Sequence, residues 1–279
     1  MANETTSSTI SELYTEIVAD ALFVASEQSI MRNLVRNYTI AGGGKSVEVP
    51  IYATVSASAV SEASDLSNTA VNPTSVTITA SEVGIMTTLT DLARNSASRN
   101  VAGDIGRLFG EAIARKVDAD LSALFTGFST EKAGGAGQEL TVQDIFEASA
   151  ELRTANAPAP YYGGFHPKQI SNVKKSLTNT FVGRDTELSN EAMRSGFVGT
   201  IAGVQIFESS NISVDGSDDS IGGVFSQDAL ALAMMQDLKL ETQRDASLRA
   251  DEIVATAVYG VSEIHDSYGV KLTADTLAT

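Results

Sequence analysis

Apolar residues recur at steps of three and four along Val101, Ile105, Leu108, Phe109, Ala112, Ile113, Val117, Leu121, Leu124 and Phe125. That spacing lays them on one stripe of a helix and predicts a single helix from Ser98 to Gly127. Asp104, Arg107, Glu111, Arg115, Asp118 and Asp120 fall largely off the stripe and form a wet face. Ser98 or Asn100 supplies a cap at one end, and Gly127 is placed to close the other in a left-handed conformation. At 1.5 Å per residue such an element is about 45 Å long, well beyond an ordinary globular helix, so it reads as a spine. Gly103, Gly106 and Gly110 weaken it, and their spacing predicts something packed closely on that edge.

Before the spine, Leu13, Ile17, Leu22, Val24, Ile30, Met31, Leu34 and Val35 give an imperfect amphipathic stripe, predicting a helical arm over Ser11 to Val35. The pattern then changes to a period of two. Val47, Val49, Ile51, Ala53 and Val55 alternate with polar residues and Pro50, a strand that the missing amide of proline puts at an edge. A second alternating run, Val76, Ile78 and Ala80, continues as Val83, Ile85, Thr87 and Leu89 with its phase shifted near Glu82, which predicts a bulge or bend. Ser56 to Pro73 between them has little periodicity and should project. Two strands alone cannot bury both faces, so neighbouring molecules are expected to cover the ribbon.

After the spine the chain alternates. Thr141 to Thr154 is helical, Tyr161 to Phe165 a short strand, and Pro167 starts a helix with Ile170, Val173 and Leu177 on its apolar side. Val198 to Phe207 reads as a strand pair around Gly203, Val214 to Ser220 as an acidic turn, and Ile221 to Phe225 as a buried strand. Asp228 to Met235 is a short Ala/Leu/Met segment, Leu238 to Glu241 extends again, and Ile253 to Ile264 is a long strand turning through Asp266 to Gly269 into Val270 to Thr273. No internal repeat is present.

Composition narrows the chemistry. The 279 residues, 43% of them hydrophobic, suffice for a real core. There is no cysteine, hence no disulfide, thiolate site or thiol nucleophile. No stretch approaches about eighteen uninterrupted apolar residues and no secretory leader is evident, so a chain that is soluble and not exported is expected. The 35 acidic against 19 basic residues, a formal charge of -16, repel phosphates and argue against specific nucleic-acid recognition. Solubility is the simpler reading; the sharper one is a surface that sits near nucleic acid without sticking to it.

Each candidate motif fails on its own chemistry. Gly44-Lys45-Ser46 mimics the end of a phosphate loop, but the first required glycine is Thr39 and a strand follows where a helix is needed. His265-Asp266 would be a base with its carboxylate, yet neighbours on a strand point oppositely and no serine elbow accompanies them. His166 sits before Pro167, where an imidazole serves hydrogen bonding, and Asp215, Asp218 and Asp219 lack the calcium-loop pattern. Met234-Met235 reads as core filler. No catalytic, cofactor or metal site is therefore assigned, and the chain is expected not to be an enzyme.

The element order does resemble a known family. Leu89-Thr90-Asp91-Leu92 before the spine and Ala114 to Asp120 within it are similar to the spine segment of tailed-bacteriophage major capsid proteins, the Hong Kong ninety-seven type fold. Phe165-His166-Pro167-Lys168, Ile201 to Ile206 and Gly223 to Leu230 resemble the strand and helix signals of that family. Arg244 to Val254 running into Val258-Tyr259-Gly260-Val261 is the strongest match. The resemblance implies an α+β fold: N-terminal arm at 1–40, extended β-hairpin loop at 41–86, peripheral domain with the spine helix at 87–138 and closing strands at 248–279, and axial domain at 139–247.

It also implies self-assembly as hexamers and pentamers into an icosahedral virion shell around double-stranded DNA, without sequence-specific contacts and without a membrane. Expected partners are identical subunits, a scaffolding protein, a portal protein at one vertex and a possible decoration protein, with assembly in the host bacterial cytoplasm. No long cleavable front domain is seen, which is why a separate scaffold is expected. Some relatives crosslink their shells through a lysine in the extended loop, whereas no Lys or Arg lies between Lys45 and Arg94 here. Three other readings compete: an encapsulin-like bacterial compartment with the same fold, a flagellin-like filament subunit, and a hydrolase using His166 or His265.

Overall fold

In the computed structural model, residues 30–41, 43–52, 70–96, 101–132, 135–181 and 199–276 are described, with 55, 57, 59–62, 65 and 68. The predicted arm over 11–29 lies outside them, as do its caps for the spine, Ser98 and Asn100. The end of the arm departs from expectation: Met31–Asn33 is one 3-10 turn and Arg36–Thr39 a strand, β1, that pairs in parallel with a distant partner.

The period-two runs fold as read, with one correction. Strand β2 (Ser46–Ile51) pairs with β3 (Thr74–Thr79), and Pro50, opposite Ser75, lies on an outer edge as its missing amide requires. The break in phase falls at Ala80, where the chain leaves this ribbon and enters β4 (Ser81–Thr90) of another sheet. The shift is a change of sheet. A short helix α1 (Asp91–Ser96) precedes the spine, α2 (Val101–Ala123), which ends in a 3-10 turn at Leu124–Gly127.

Two expectations for the spine are overturned. Gly127 does not adopt the left-handed conformation; Phe128 takes an extended one, and a β-carbon at Gly127 would lie 2.7 Å from Glu263 Oε2, the end of a flexible side chain. Asp118 is buried, whereas Leu108 is 60% exposed. Gly103, Gly106 and Gly110 are buried, consistent with an edge that needed small residues.

Beyond β5 (Glu131–Lys132), helix α3 (Val142–Thr154) starts with a reciprocal cap: Thr141 accepts from the Asp144 amide, and Asp144 accepts from that of Thr141. Then follow β6 (Tyr161–Phe165), α4 (Pro167–Phe181), β7 (Thr200–Ile201), β8 (Val204–Glu208) and β9 (Asp219–Ser226). Ala202 and Gly203 both have positive φ, 55° and 83°, the geometry of a two-residue hairpin turn. The two segments expected at Asp228 to Met235 and Leu238 to Glu241 are one strand, β10 (Leu230–Asp245), interrupted by register shifts near Gln236. The last strands are β11 (Ala250–Glu263) and β12 (Gly269–Asp275).

These elements build two main sheets. One has the order β1-β10-β11-β4, the other β5-β12-β9-β6-β8-β7, and β2-β3 forms a separate ribbon. The spine covers one face of the first, burying Phe109, Ile113, Val117 and Leu121 against Leu232, Leu240, Ile253 and Ala255. Tyr259 on β11 donates to Asp120 Oδ2 at 2.8 Å, tying that sheet to the spine. The second sheet has its own core, where Ile145 and Leu152 of α3 and Ile170 and Val173 of α4 meet Val204, Val224 and Leu272. Each sheet draws strands from both sides of residue 247, since β10 lies with β11 under the spine and β12 lies in the second sheet.

The ribbon is less dependent on neighbours than expected. Val49 and Ile78 are buried against Ala231, Ala233 and Ile264, so the apolar face at its base is covered by the chain itself. The physical reason is alternation: Ser46, Glu48, Thr77 and Thr79 occupy the outward positions and need no cover.

Candidate assembly surfaces

The sequence candidates for chemistry are not brought together. His166 immediately precedes α4, where its amide donates to Gln169 Oε1 and its Nδ1 accepts from the Lys168 amide. Burial, with a smaller contribution from Lys168, holds this imidazole below its usual pKa. The His265 ring lies tilted by 35° against Tyr268, centroids 4.6 Å apart, and is likewise held low by burial, opposed by Asp228. Asp266 turns away from it to accept from the amide and hydroxyl of Ser129. Lys45 presents its carbonyl to the Ala80 amide at 2.7 Å, so the Gly44-Lys45-Ser46 segment is the bend that launches the ribbon.

The acidic turn is occupied by its own backbone. Asp215 Oδ1 accepts from Ser217 and Asp219 amides at 2.8 and 2.9 Å, and Asp219 Oδ1 from the Gly137 amide at 2.7 Å. These carboxylates border a groove of about 330 Å³ lined also by Ala119, Ser122 and Ile212. Among the described residues no group of three or more His, Cys, Asp or Glu could hold a metal ion, and no helix is long and apolar enough to cross a membrane. Met234 packs on the core while Met235 is 42% exposed, which corrects the expectation that both fill it.

What the fold displays instead is contact surface. Tyr52, Val55, Val60 and Val71, at the far end of the ribbon, are all exposed. A second surface lies where β4 meets α1 and the β10–β11 hairpin turns. Arg244 there makes a two-pronged pair with Asp91 at 2.7 and 2.5 Å, also reaches Asp251 at 3.3 Å, and Arg94 pairs with Asp251. The Arg244 hydrogen bond holds Asp91 below the usual carboxylate range. Leu92 and Leu248 flank this cluster, 80% and 59% exposed. Large apolar side chains left in water beside a fixed ion-pair network mark an interaction face rather than a catalytic cleft.

Two residues that shape these surfaces escaped the sequence reading. Asp118 accepts from the amides of Ile30 and Met31, both at 3.2 Å, and so fixes where the arm leaves the spine. Its signal was present, because Asp118 lies one residue after Val117 and three before Leu121, on the border of the apolar stripe. Gly260 lets β11 approach the junction of β3 and β4, where a β-carbon would stand 2.4 Å from the Thr79 carbonyl oxygen.

A subunit with a projecting ribbon, a long spine under one sheet and a second α/β core is a shell-building protein by architecture. The chain belongs to the phage capsid protein family, whose model matches residues 72–271. Its fold is shared with the capsid of the cyanophage P-SCSP1u, at a TM-score of 0.70 and 18% identity over 88% of each chain. It is shared with a structure from Mycobacterium phage Che8, at 0.63 and 22% over 82% of this chain and 84% of that one. The capsid of the native GTA particle matches at 0.70 and 13%, over 89% and 90%. No curated protein matches.

The chain is accordingly a major capsid protein, a structural and non-enzymatic subunit that associates with identical copies in the icosahedral shell of a virion. The encapsulin-like, filament and hydrolase readings are not favoured.

Proposed function

We propose that the subunit closes into hexameric and pentameric rings, and that the exposed tip of the ribbon links each subunit to the next. Heterologous contacts that close on rotation generate such rings. The exposure of Tyr52, Val55, Val60 and Val71 on a ribbon whose base is anchored carries this reading. The six-stranded sheet with α3 and α4 forms the axial body near the ring centre, and the four-stranded sheet with the spine forms the peripheral one. On this reading β10 goes with the peripheral body and β12 with the axial one, whereas the expected 139–247 and 248–279 spans place them the other way round. The shell encloses double-stranded DNA without specific contacts, which the net charge of -16 supports. A portal at one vertex, a scaffolding protein, a possible decoration protein and assembly in the host cytoplasm complete the proposal.

Electron microscopy tests it directly. With its scaffolding protein present, the full chain should give closed shells, and replacing Ala53 to Ala70 by a two-residue turn should leave the unfolding free energy within about 1 kcal/mol of the parent, because the described residues in that span are all exposed. Shells should nevertheless be lost. Closed shells from the shortened chain would overturn the role of the tip.

The ribbon also makes a chemical prediction. With no Lys or Arg between Lys45 and Arg94, it offers no amine for an isopeptide bond. Mature shells boiled in detergent should run on a gel as monomer, and a covalent ladder would refute this.

A further inference from the structure

The edge of a sheet is a row of backbone donors and acceptors open to any extended chain, and folded proteins blunt it with shortness, charge or proline. Among the described residues the two main sheets have four edge strands, and three are blunted: β1 has four residues beginning with Arg36, and β5 and β7 have two each. The fourth is β4. It runs ten residues, Ser81–Thr90, without proline or lysine and with Glu82 as its one charge.

The ladder on the inner side of β4 fixes which groups face out. The Asp91 amide donates to the Arg249 carbonyl at 3.0 Å, and the register then runs unbroken from Thr90 opposite Ala250 to Ser81 opposite Tyr259. Antiparallel partners exchange their bonds at every second position, so Val83, Ile85, Thr87 and Leu89 bond to β11 while Glu82, Gly84, Met86 and Thr88 turn their amides and carbonyls away from it. Among the described residues no hydrogen bond reaches these outward groups. The same four residues are exposed, Met86 at 60%, whereas Val83 and Ile85 pack into the core under the spine.

We propose that β4 pairs with β4 of a second copy, antiparallel about a two-fold axis at Met86, joining the two four-stranded sheets into one. Identical copies are the partner that the family gives this chain, and an icosahedral shell sets copies about two-fold axes. A two-fold contact must be self-complementary, and this strand is. Centred on Met86, the register sets Gly84 opposite Thr88 of the second copy and Glu82 opposite its Thr90, so no like charges meet. Each outward amide then finds a carbonyl, as in any strand added to an open edge, and the two exposed Met86 side chains cover each other. Centred on Gly84 instead, the ladder would be shorter and would set each Met86 against Glu82. The pairing rests on the association of identical copies and not on the role of the ribbon tip.

The chain contains no cysteine, so a single introduced thiol can join only to its own copy. Hydrogen-bonded antiparallel pairs stand about 5.5 Å apart at Cα, within the span of a disulfide. Capsids of Met86→Cys chains, mildly oxidised, should therefore run mostly as dimer on a non-reducing denaturing gel. Thr88→Cys, on the same exposed face, should stay monomer, because this register puts its copy about 14 Å away. Charge reads the contact a second way. Met86→Lys and Met86→Glu change an exposed position and should melt like the parent, yet each alone should give at least about tenfold fewer particles. Co-expressed, the two should recover the parent's yield, since opposite charges then face across the axis. Monomer from Met86→Cys, dimer from Thr88→Cys, or charged variants that assemble no better together than alone would each overturn the pairing.

Discussion

Gly260→Ala should cripple both the stability and the assembly of this subunit, out of proportion to one added methyl group. The new β-carbon would meet the Thr79 carbonyl oxygen at 2.4 Å, its carbon at 2.8 Å and the Ala80 nitrogen at 3.2 Å. These are backbone atoms, so no rotamer change relieves the clash. The junction cannot swing freely either, because the Ala80 amide is bonded to the Lys45 carbonyl and Ile78 is buried beside it. Overpacking of this kind costs about 1–3 kcal/mol, against a gain of about 0.5 kcal/mol from restricting the unfolded chain. A net loss near 2 kcal/mol should lower the melting temperature by roughly 4–8 °C in a chain of this size. The ribbon must shift to make room, so shell yield should fall further than stability. Gly216→Ala, where nothing lies within 4 Å, should change neither. A Gly260→Ala protein that melts and assembles like its parent would show that the approach of β11 to the ribbon is not tight.

Asp118→Ala should be comparably severe by a different route. The carboxylate is buried and receives the amides of Ile30 and Met31, and truncation leaves at least the buried Met31 donor without its acceptor. Hydrogen bonds to charged groups are worth about 1.5–3 kcal/mol, and an orphaned buried donor retains its desolvation cost of about 1–3 kcal/mol. A total near 3 kcal/mol is expected in thermal or denaturant melting. Asp118→Asn keeps one acceptor oxygen and should lose about half as much. Equal losses for the two substitutions would point to the charge rather than the acceptor geometry.

Much of this fold was legible from side-chain periodicity. The spine, the two ribbon strands, α3, α4, β6, the turn at Gly203 and the long β11 all carry local patterns, because each presents one face to a core. What escaped was non-local. Arg36–Thr39 is only four residues, and its strand character comes from β10 almost two hundred residues later. Strand β10 itself was split in two because its bulges near Gln236 break the alternation. The surfaces were half legible. The exposed tip of the ribbon followed from its lack of pattern, whereas the Asp91, Arg94, Arg244 and Asp251 network joins segments that only the folded chain brings together. Asp118 was misplaced because charge was read as exposure, and burial with two amide donors is the exception to that rule.

The interleaving of the two sheets bears on biosynthesis. Strand β1 waits for β10, β4 for β11, and the second sheet has β12, near the C-terminus, inserted between β5 and β9. Until β10, β11 and β12 have been translated, a nascent polypeptide on the ribosome therefore holds neither core closed. Contacts between subunits that need both finished cores can therefore form only after these three strands have emerged.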